Sequence, residues 1–290
     1  MSKVLTKLFV PAFLLLLCPA CITEVDVGAC ENTEIKFEYP AGSNGSYLPD
    51  EVESVTYLVY DSEGNLVLKG TIDKDNLDDL GNIKFRLPDG GDYKVVMWGN
   101  TGNNCIFKGE DKYETLQVVN PSPNPEDFDK IYIGEIDVNL TSPDDLSQTE
   151  LPPVHNSNVT IDITLDSTLE EGGTDYVVKI GPLPSGIDKD GNPTGPYVYY
   201  EPKLVEDEEG KIVTTVDIPP FGPDTDAVIQ IIDPETGEVV AEVPLKEYIK
   251  DNNIDLSDDD PKIEIEIAIS GTTITVKFPG WKPKPIYPHI

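Results

Sequence analysis

The sequence predicts an all-β protein built from sandwiched sheets, and three observations carry that prediction. Apolar residues recur with period two in one segment after another, 23 Gly and 26 Pro punctuate the 290 residues, and only one short stretch has helical periodicity. Period two sends alternate side chains to opposite faces of a strand, so one face enters a core and the other meets water. Gly and Pro interrupt helix interiors but suit tight reversals. A hydrophobic fraction of 38% supplies a core, and a chain of this length corresponds to about two domains.

The first twenty residues form an address. Lys3 and Lys7 precede the apolar run 8–17, which is shorter than the roughly 20 residues a bilayer-spanning helix needs. Segment 1–20 therefore reads as an export signal. It closes on Cys18-Pro19-Ala20-Cys21, which looks like a lipobox. Cys21 is the expected acylated residue, with Cys18 and plain secretion as the alternatives. Fifty-four acidic against 21 basic residues give a formal charge of −33. Such a chain is repelled by anionic lipid and by nucleic acid, so acyl chains must do the anchoring and nucleic acid is excluded as a partner.

The strands follow in order. Alternation or apolar runs predict strands at 34–39, 55–60, 83–87, 93–98, 131–138, 159–165, 176–180, 211–218, 227–232, 238–243 and 263–269. Ser270-Gly271-Thr272 then turns the last of these into a hairpin with 273–278. Residues 245–252 form the one helical stretch, with Leu245, Tyr248 and Ile249 on one face. Pro-rich, acidic stretches lie at 120–129 and 141–153. The second separates two strand-rich halves, giving a signal at 1–20, an N-terminal sandwich at 21–153, a C-terminal sandwich at 154–281 and a Pro-rich tail at 282–290.

Little in the composition supports catalysis. His155 and His289 are the only histidines, the four Cys are scattered, and no nucleophile elbow is present. The expectation is no enzyme, no metal and no cofactor. Asp188-Lys189-Asp190-Gly191-Asn192 has the start of a calcium loop but lacks its distal Glu, so a hairpin turn is the better reading. Cys30 and Cys105 remain after the signal. In an oxidising compartment they form either a disulfide, restricting the unfolded chain by about 3–5 kcal/mol, or two separate buried thiols. Trp98 is expected in the core, and Tyr197, Tyr199 and Tyr200 either stack on sugars or pack across strands. Asp166-Ser167-Thr168 is similar to a short O-glycan acceptor motif.

Several pieces, in order, carry a family likeness: Glu51 to Asp61 with Gly64-Asn65-Leu66-Val67, Leu87-Pro88-Asp89-Gly90, Met97-Trp98-Gly99-Asn100, Asp129-Lys130-Ile131-Tyr132-Ile133-Gly134, Thr236-Gly237 before Leu245-Lys246-Glu247-Tyr248-Ile249, and Phe278-Pro279-Gly280-Trp281. Together they resemble the FimB-like fimbrial anchor lipoproteins of the fimbrillin superfamily of Bacteroides-type bacteria. That resemblance implies two transthyretin-like β-sandwich domains in tandem, held at the outer membrane by the N-terminal lipid with the body outside the cell. It also implies a structural role: tethering a pilus whose stalk subunits assemble by strand addition. Stalk subunits of that superfamily lose an N-terminal strand to an Arg-directed protease. The only Arg here is Arg86, so this chain keeps its own strand.

The expected partner is a fimbrial stalk subunit, met by strand or tail addition through Trp281, Ile286, Tyr287 and Ile290. Pro283, Pro285 and Pro288 break the tail's hydrogen-bonding pattern, so an extended tail laid along an edge stands beside a frayed terminus. Trp281 packs in its own domain or in a partner. The rival functions are a glycan-binding surface lipoprotein and a tip or adhesin subunit of the same superfamily.

Overall fold

A computed structural model describes residues 31–36, 52–76, 82–142, 147–150, 155–166, 176–270, 273–277 and 284–286. The strands are β1 (Thr33–Lys36), β2 (Ser54–Tyr60), β3 (Leu66–Asp73), β4 (Ile83–Phe85), β5 (Gly91–Gly99), β6 (Ile106–Lys108), β7 (Gln117–Val119), β8 (Tyr132–Leu140), β9 (Ser147–Glu150) and β10 (His155–Asn156). They continue as β11 (Val159–Asp166), β12 (Val177–Asp188), β13 (Pro193–Tyr200), β14 (Val205–Glu206), β15 (Ile212–Ile218), β16 (Val228–Ile232) and β17 (Val239–Pro244). Helix α1 (Leu245–Asn252) precedes β18 (Lys262–Ser270), β19 (Thr273–Lys277) and β20 (Lys284–Ile286). The all-β expectation holds, and α1 has the predicted bounds and the predicted buried face.

Four sheets result. Strands β4-β1-β9 form a small sheet facing one side of β10-β8-β5-β2-β3, and the layer between them contains Ile35, Val55, Val59, Ile83, Phe85, Val95 and Met97. The other face of the larger sheet carries Leu58, Tyr60, Val96 and Trp98 into a second core. Strand β5 is thus covered on both sides, which is why its sequence is a nearly unbroken apolar run instead of an alternation.

The second core continues between β14-β15-β11-β18-β19-β20 and β17-β16-β12-β7-β6. β11 shows the period-two rule directly: Val159, Ile161, Ile163 and Leu165 are buried, and the residues between them are half-buried. It lies between antiparallel β15 and parallel β18.

β12 is the seam. One edge pairs with β16 through 177–181 and with β7 through 186–188, while β13 covers the other edge. β6 and β7 precede residue 153, so strands from the first half of the sequence extend a sheet of the second half. Segment 141–153, the Pro-rich, acidic stretch between the two strand-rich halves, contributes β9, which runs parallel to β1.

Candidate functional site

In a chain built almost wholly of strands, the candidate site is the set of main-chain edges that are open or closed to another strand. β1 is the middle strand of its sheet, antiparallel to β4 and parallel to β9. Ile35 is fully buried. Just before β1, Asn32 behaves as an extra rung: its Nδ2 donates to Leu87 O at 2.9 Å, its Oδ1 accepts from Leu87 N–H at 2.8 Å, and its own N–H donates to Phe85 O at 3.2 Å. β1 therefore occupies the place between β4 and β9, with Asn32 extending its pairing by one residue.

At the other end, the backbone of β20 pairs antiparallel with β19, setting Pro285 opposite Thr275. Among the described residues β20 is the outermost strand of its sheet, the position where a proline is best tolerated. Of the predicted partner-binding residues only Ile286 falls within the described residues, at the end of β20. Trp281, Tyr287, Ile290, Cys21 and Cys30 lie outside them.

Cys105 is a free, buried thiol. Cys30, its expected partner in a disulfide, lies outside the described residues. Burial, with the Asp129 carboxylate close by, pushes this thiol well above its ordinary value. The thiol sits in the core because the loop before it is drawn inward: the Asp129 carboxylate accepts main-chain N–H bonds from Gly102, Asn103, Asn104 and Cys105 at 2.8–3.2 Å.

That contact lies where three of the sequence pieces meet. Asn100 adopts a left-handed backbone (φ 61°), accepts from Glu53 N–H at 2.7 Å and donates to Lys130 O at 3.1 Å. Segments 51–61, 97–100 and 129–134 are therefore tied at one knot. Asn158 reaches this knot from the second half, with Ile131 N–H donating to its Oδ1 and its Nδ2 donating to Asp129 O. Sequence reasoning missed Asn32 and Asn158 and named Asp129 without its role as an acceptor of main-chain amides; an Asn or Asp next to a predicted strand end was the only available signal.

Trp98 is fully buried, with its ring edge-on to Phe107. Tyr200 is buried and donates to Pro184 O, while Tyr197 and Tyr199 are 69% and 40% exposed. Those two project from one face of β13. The Asp188 loop is the β12–β13 turn, whose carboxylate accepts N–H bonds from Asp190 and Asn192. His155 is exposed on β10. Asp166 ends β11, and Ser167 and Thr168 lie outside the described residues.

A cleft of about 580 Å³ opens where the β2–β3 turn, the starts of β5 and Tyr113, and the end of β8 meet. Lys94 bonds Glu135 at 2.5 Å and Asp137 at 2.9 Å beside it, and the Tyr113 hydroxyl donates to Glu135. Among the described residues no group of His, Cys, Asp or Glu is arranged to hold a metal.

An all-β body of packed sheets, with three of the sequence pieces meeting at one knot, defines the class as a β-sandwich protein. The match is made by the family of fimbrillin-A associated anchor proteins Mfa1 and Mfa2, over residues 26–286, and the chain belongs to that family. It is accordingly a fimbrial structural subunit. No curated protein matches the chain. Among solved structures it is similar to the fimbrial anchor protein Mfa2 from Porphyromonas gingivalis (TM-score 0.63, 15% identity, covering 90% of this chain and 100% of that one). It is similar also to a candidate adhesin from Bacteroides ovatus (0.64, 17%, 89% and 96%). A candidate polysaccharide-binding protein from Bacteroides thetaiotaomicron gives 0.62, 15%, 89% and 98%. At these identities the likeness is one of fold.

Proposed function

We propose that this chain is the membrane-held base of a fimbrium: a non-catalytic tether acylated at Cys21, placed at the outer membrane and joined to a stalk subunit. The observation that carries the reading is the position of β1, the central strand of its sheet, clamped by Asn32. A subunit whose groove is filled from within does not accept a donor strand there, and its N-terminal segment is left to serve as the leash. Cys21 precedes Thr33 by twelve residues, a reach of at most about 40 Å. The two expected sandwiches, 21–153 and 154–281, act in this reading as one mechanical body, because β6 and β7 lie in the sheet of β12.

The stalk is met by the tail or by the edge the tail covers. β20 holds that edge over only three residue pairs, with a proline among them. The test is a Cys21→Ala variant: filaments should appear in the medium, and undiminished retention on cells refutes the tether. Deleting 282–290 then asks whether the tail makes the attachment, since stalks retained by the truncated protein place it elsewhere.

A second reading is supported by Tyr197 and Tyr199, whose exposure packing does not explain. Two rings on one face of an edge strand form a platform for sugars. Saturable polysaccharide binding, lost in Tyr197→Ala or Tyr199→Ala, would establish it.

A further inference from the structure

Most sheet edges of this chain are blunted, and one is left open. Proteins protect a sheet edge by keeping it short or by placing proline in it. Among the described residues, the edge strands β10 and β14 are 2 residues long, β4, β6 and β20 are 3, and β9 is 4. β20 also carries Pro285, β17 ends on Pro244, and β13 contains Pro193 and Pro196. β3 is the exception, an edge strand of 8 residues with no proline. Its start alone is covered, where Leu66 N–H donates to Asp111 O and Asn65 bridges Lys112.

The phase of the ladder fixes what that edge offers. Lys74 N–H donates to Glu53 O at 2.8 Å, in step with the register that sets Ser54 opposite Asp73. Main-chain groups alternate in direction along a strand, so those of Lys69, Thr71 and Asp73 point away from β2. These three have no main-chain partner on that side among the described residues. Their side chains share the exposed face of β3. Residues 66–76 hold Lys69 and Lys74 against Asp73 and Asp75, so this edge is locally neutral in a chain of charge −33. Two such acidic chains can meet here without local repulsion.

Self-complementarity names the occupant. Antiparallel pairing of β3 with β3 of a second copy is isologous and places its two-fold axis at one residue. With the axis at Thr71, the two Thr71 residues exchange their outward bonds and each Lys69 lies opposite Asp73 of the other copy, giving about six main-chain bonds and two ion pairs. Asp73 has no partner among the described residues. Lys69, 2.6 Å from Glu110, has further donors to give. On the other face Gly70 meets Ile72 of the second copy. A Cβ at Gly70 would lie 2.3 Å from Tyr57 Oη, so Tyr57 covers the glycine and gives that isoleucine a ring to pack on. An axis at Lys69 opposes two lysines, and an axis at Gly70 sets Lys69 against Thr71; neither forms an ion pair.

We propose that β3 is a homodimerisation edge, pairing antiparallel with β3 of a second copy about a two-fold axis at Thr71. The proposal stands apart from the tether reading. The test is sedimentation velocity of the full-length chain in density-matched detergent, at about 0.15 M salt, where diffuse charge is screened. Loading runs up to about 100 µM, where a micromolar dimer is filled.

The parent should sediment as a dimer. Thr71→Pro removes an outward N–H and leaves the β2 ladder intact, and Lys69→Asp opposes like charges; each should weaken association about tenfold or more. Lys69→Asp/Asp73→Lys restores both ion pairs and should return to within about threefold of the parent. Thr71→Cys should close a disulfide across the axis, whereas Thr236→Cys, at the exposed β16–β17 turn, should not. Circular dichroism checks the fold of each variant, and the two cysteine variants carry the test should Thr71→Pro or Lys69→Asp unfold. A parent that stays monomeric at the highest loading leaves the edge to a strand of another protein and overturns the proposal. So does association unmoved by Thr71→Pro, a charge swap no better than Lys69→Asp alone, or equal cross-linking of the two cysteine variants.

Discussion

Replacing Asp129 by Asn exchanges one oxygen for an NH2 group and should lower the stability of the fold by about 3 kcal/mol. The carboxylate is 4% exposed and accepts four main-chain N–H bonds. A hydrogen bond to a charged group contributes about 1.5–3 kcal/mol net. Gly102, Asn103 and Asn104 are exposed, so water replaces much of what their amides lose. The Cys105 amide is buried and has no such recourse. The loss is therefore roughly that of one buried charge-assisted bond, plus the penalty of an amide group placed among donors. Urea titration followed by circular dichroism measures it, and hydrogen exchange at Cys105 locates it. Asp61→Asn, at an exposed turn built on the same kind of carboxylate cap, should cost less than about 1 kcal/mol. A loss below about 1 kcal/mol for Asp129→Asn, or unchanged protection of the Cys105 amide, would refute the reasoning.

Three further outcomes follow from individual contacts. Burial, opposed by N–H bonds from Asp217 and Phe128 and reinforced by the Asp217 charge, pushes Asp127 up to about 7. The folded chain then holds a proton that the unfolded chain releases near pH 4, so this stability is complete below about pH 4 and is lost as pH rises through 7; urea midpoints of Asp127→Asn should be flatter across that window. A Cβ at Gly186 would lie 2.5 Å from Val119 Cγ1 and 2.6 Å from Val118 O, so Gly186→Ala should cost about 1–3 kcal/mol and speed proteolysis at the β7–β12 seam. Asn32→Ala leaves Leu87 N–H and C=O without their partner and should cost about 2 kcal/mol by urea titration.

What was legible in the sequence follows from what each strand buries. β11 and β18 have one core face each, so their alternation could be read directly. β6, β7, β10, β14 and β20 are two or three residues long and too short to show any period. In β12, Gly181, Pro182, Pro184 and Gly186 look like breakers, so only its first residues were expected as strand. It continues to Asp188 because β13 lies along one edge while β16 and β7 share the other. β3 never becomes fully buried; half-buried and exposed positions alternate throughout, but Gly70 takes one of the half-buried places and leaves a gap in the apolar pattern. The site was less legible than the fold. Asn32 acts on a main-chain partner 55 residues away, and Asp129 on amides 24 to 27 residues away. Neither distance leaves a local pattern.

The contrast between the two ends of the chain bears on how a tether carries load. Ladder bonds run across the strands, so a pull along the axis of β1 loads its pairs with β4 and β9 together, in shear. Asn32 adds its side-chain bonds at the end where the leash enters. Among the described residues β20 is paired on one side only, for three residues, with a proline at its centre. A force or a competing strand therefore displaces the tail long before it moves β1. In the tether reading this assigns the permanent attachment to the amino-terminal end and the exchangeable one to the carboxy-terminal end, and it requires that truncating the tail alter stalk capture without changing how firmly the chain itself stays on the cell.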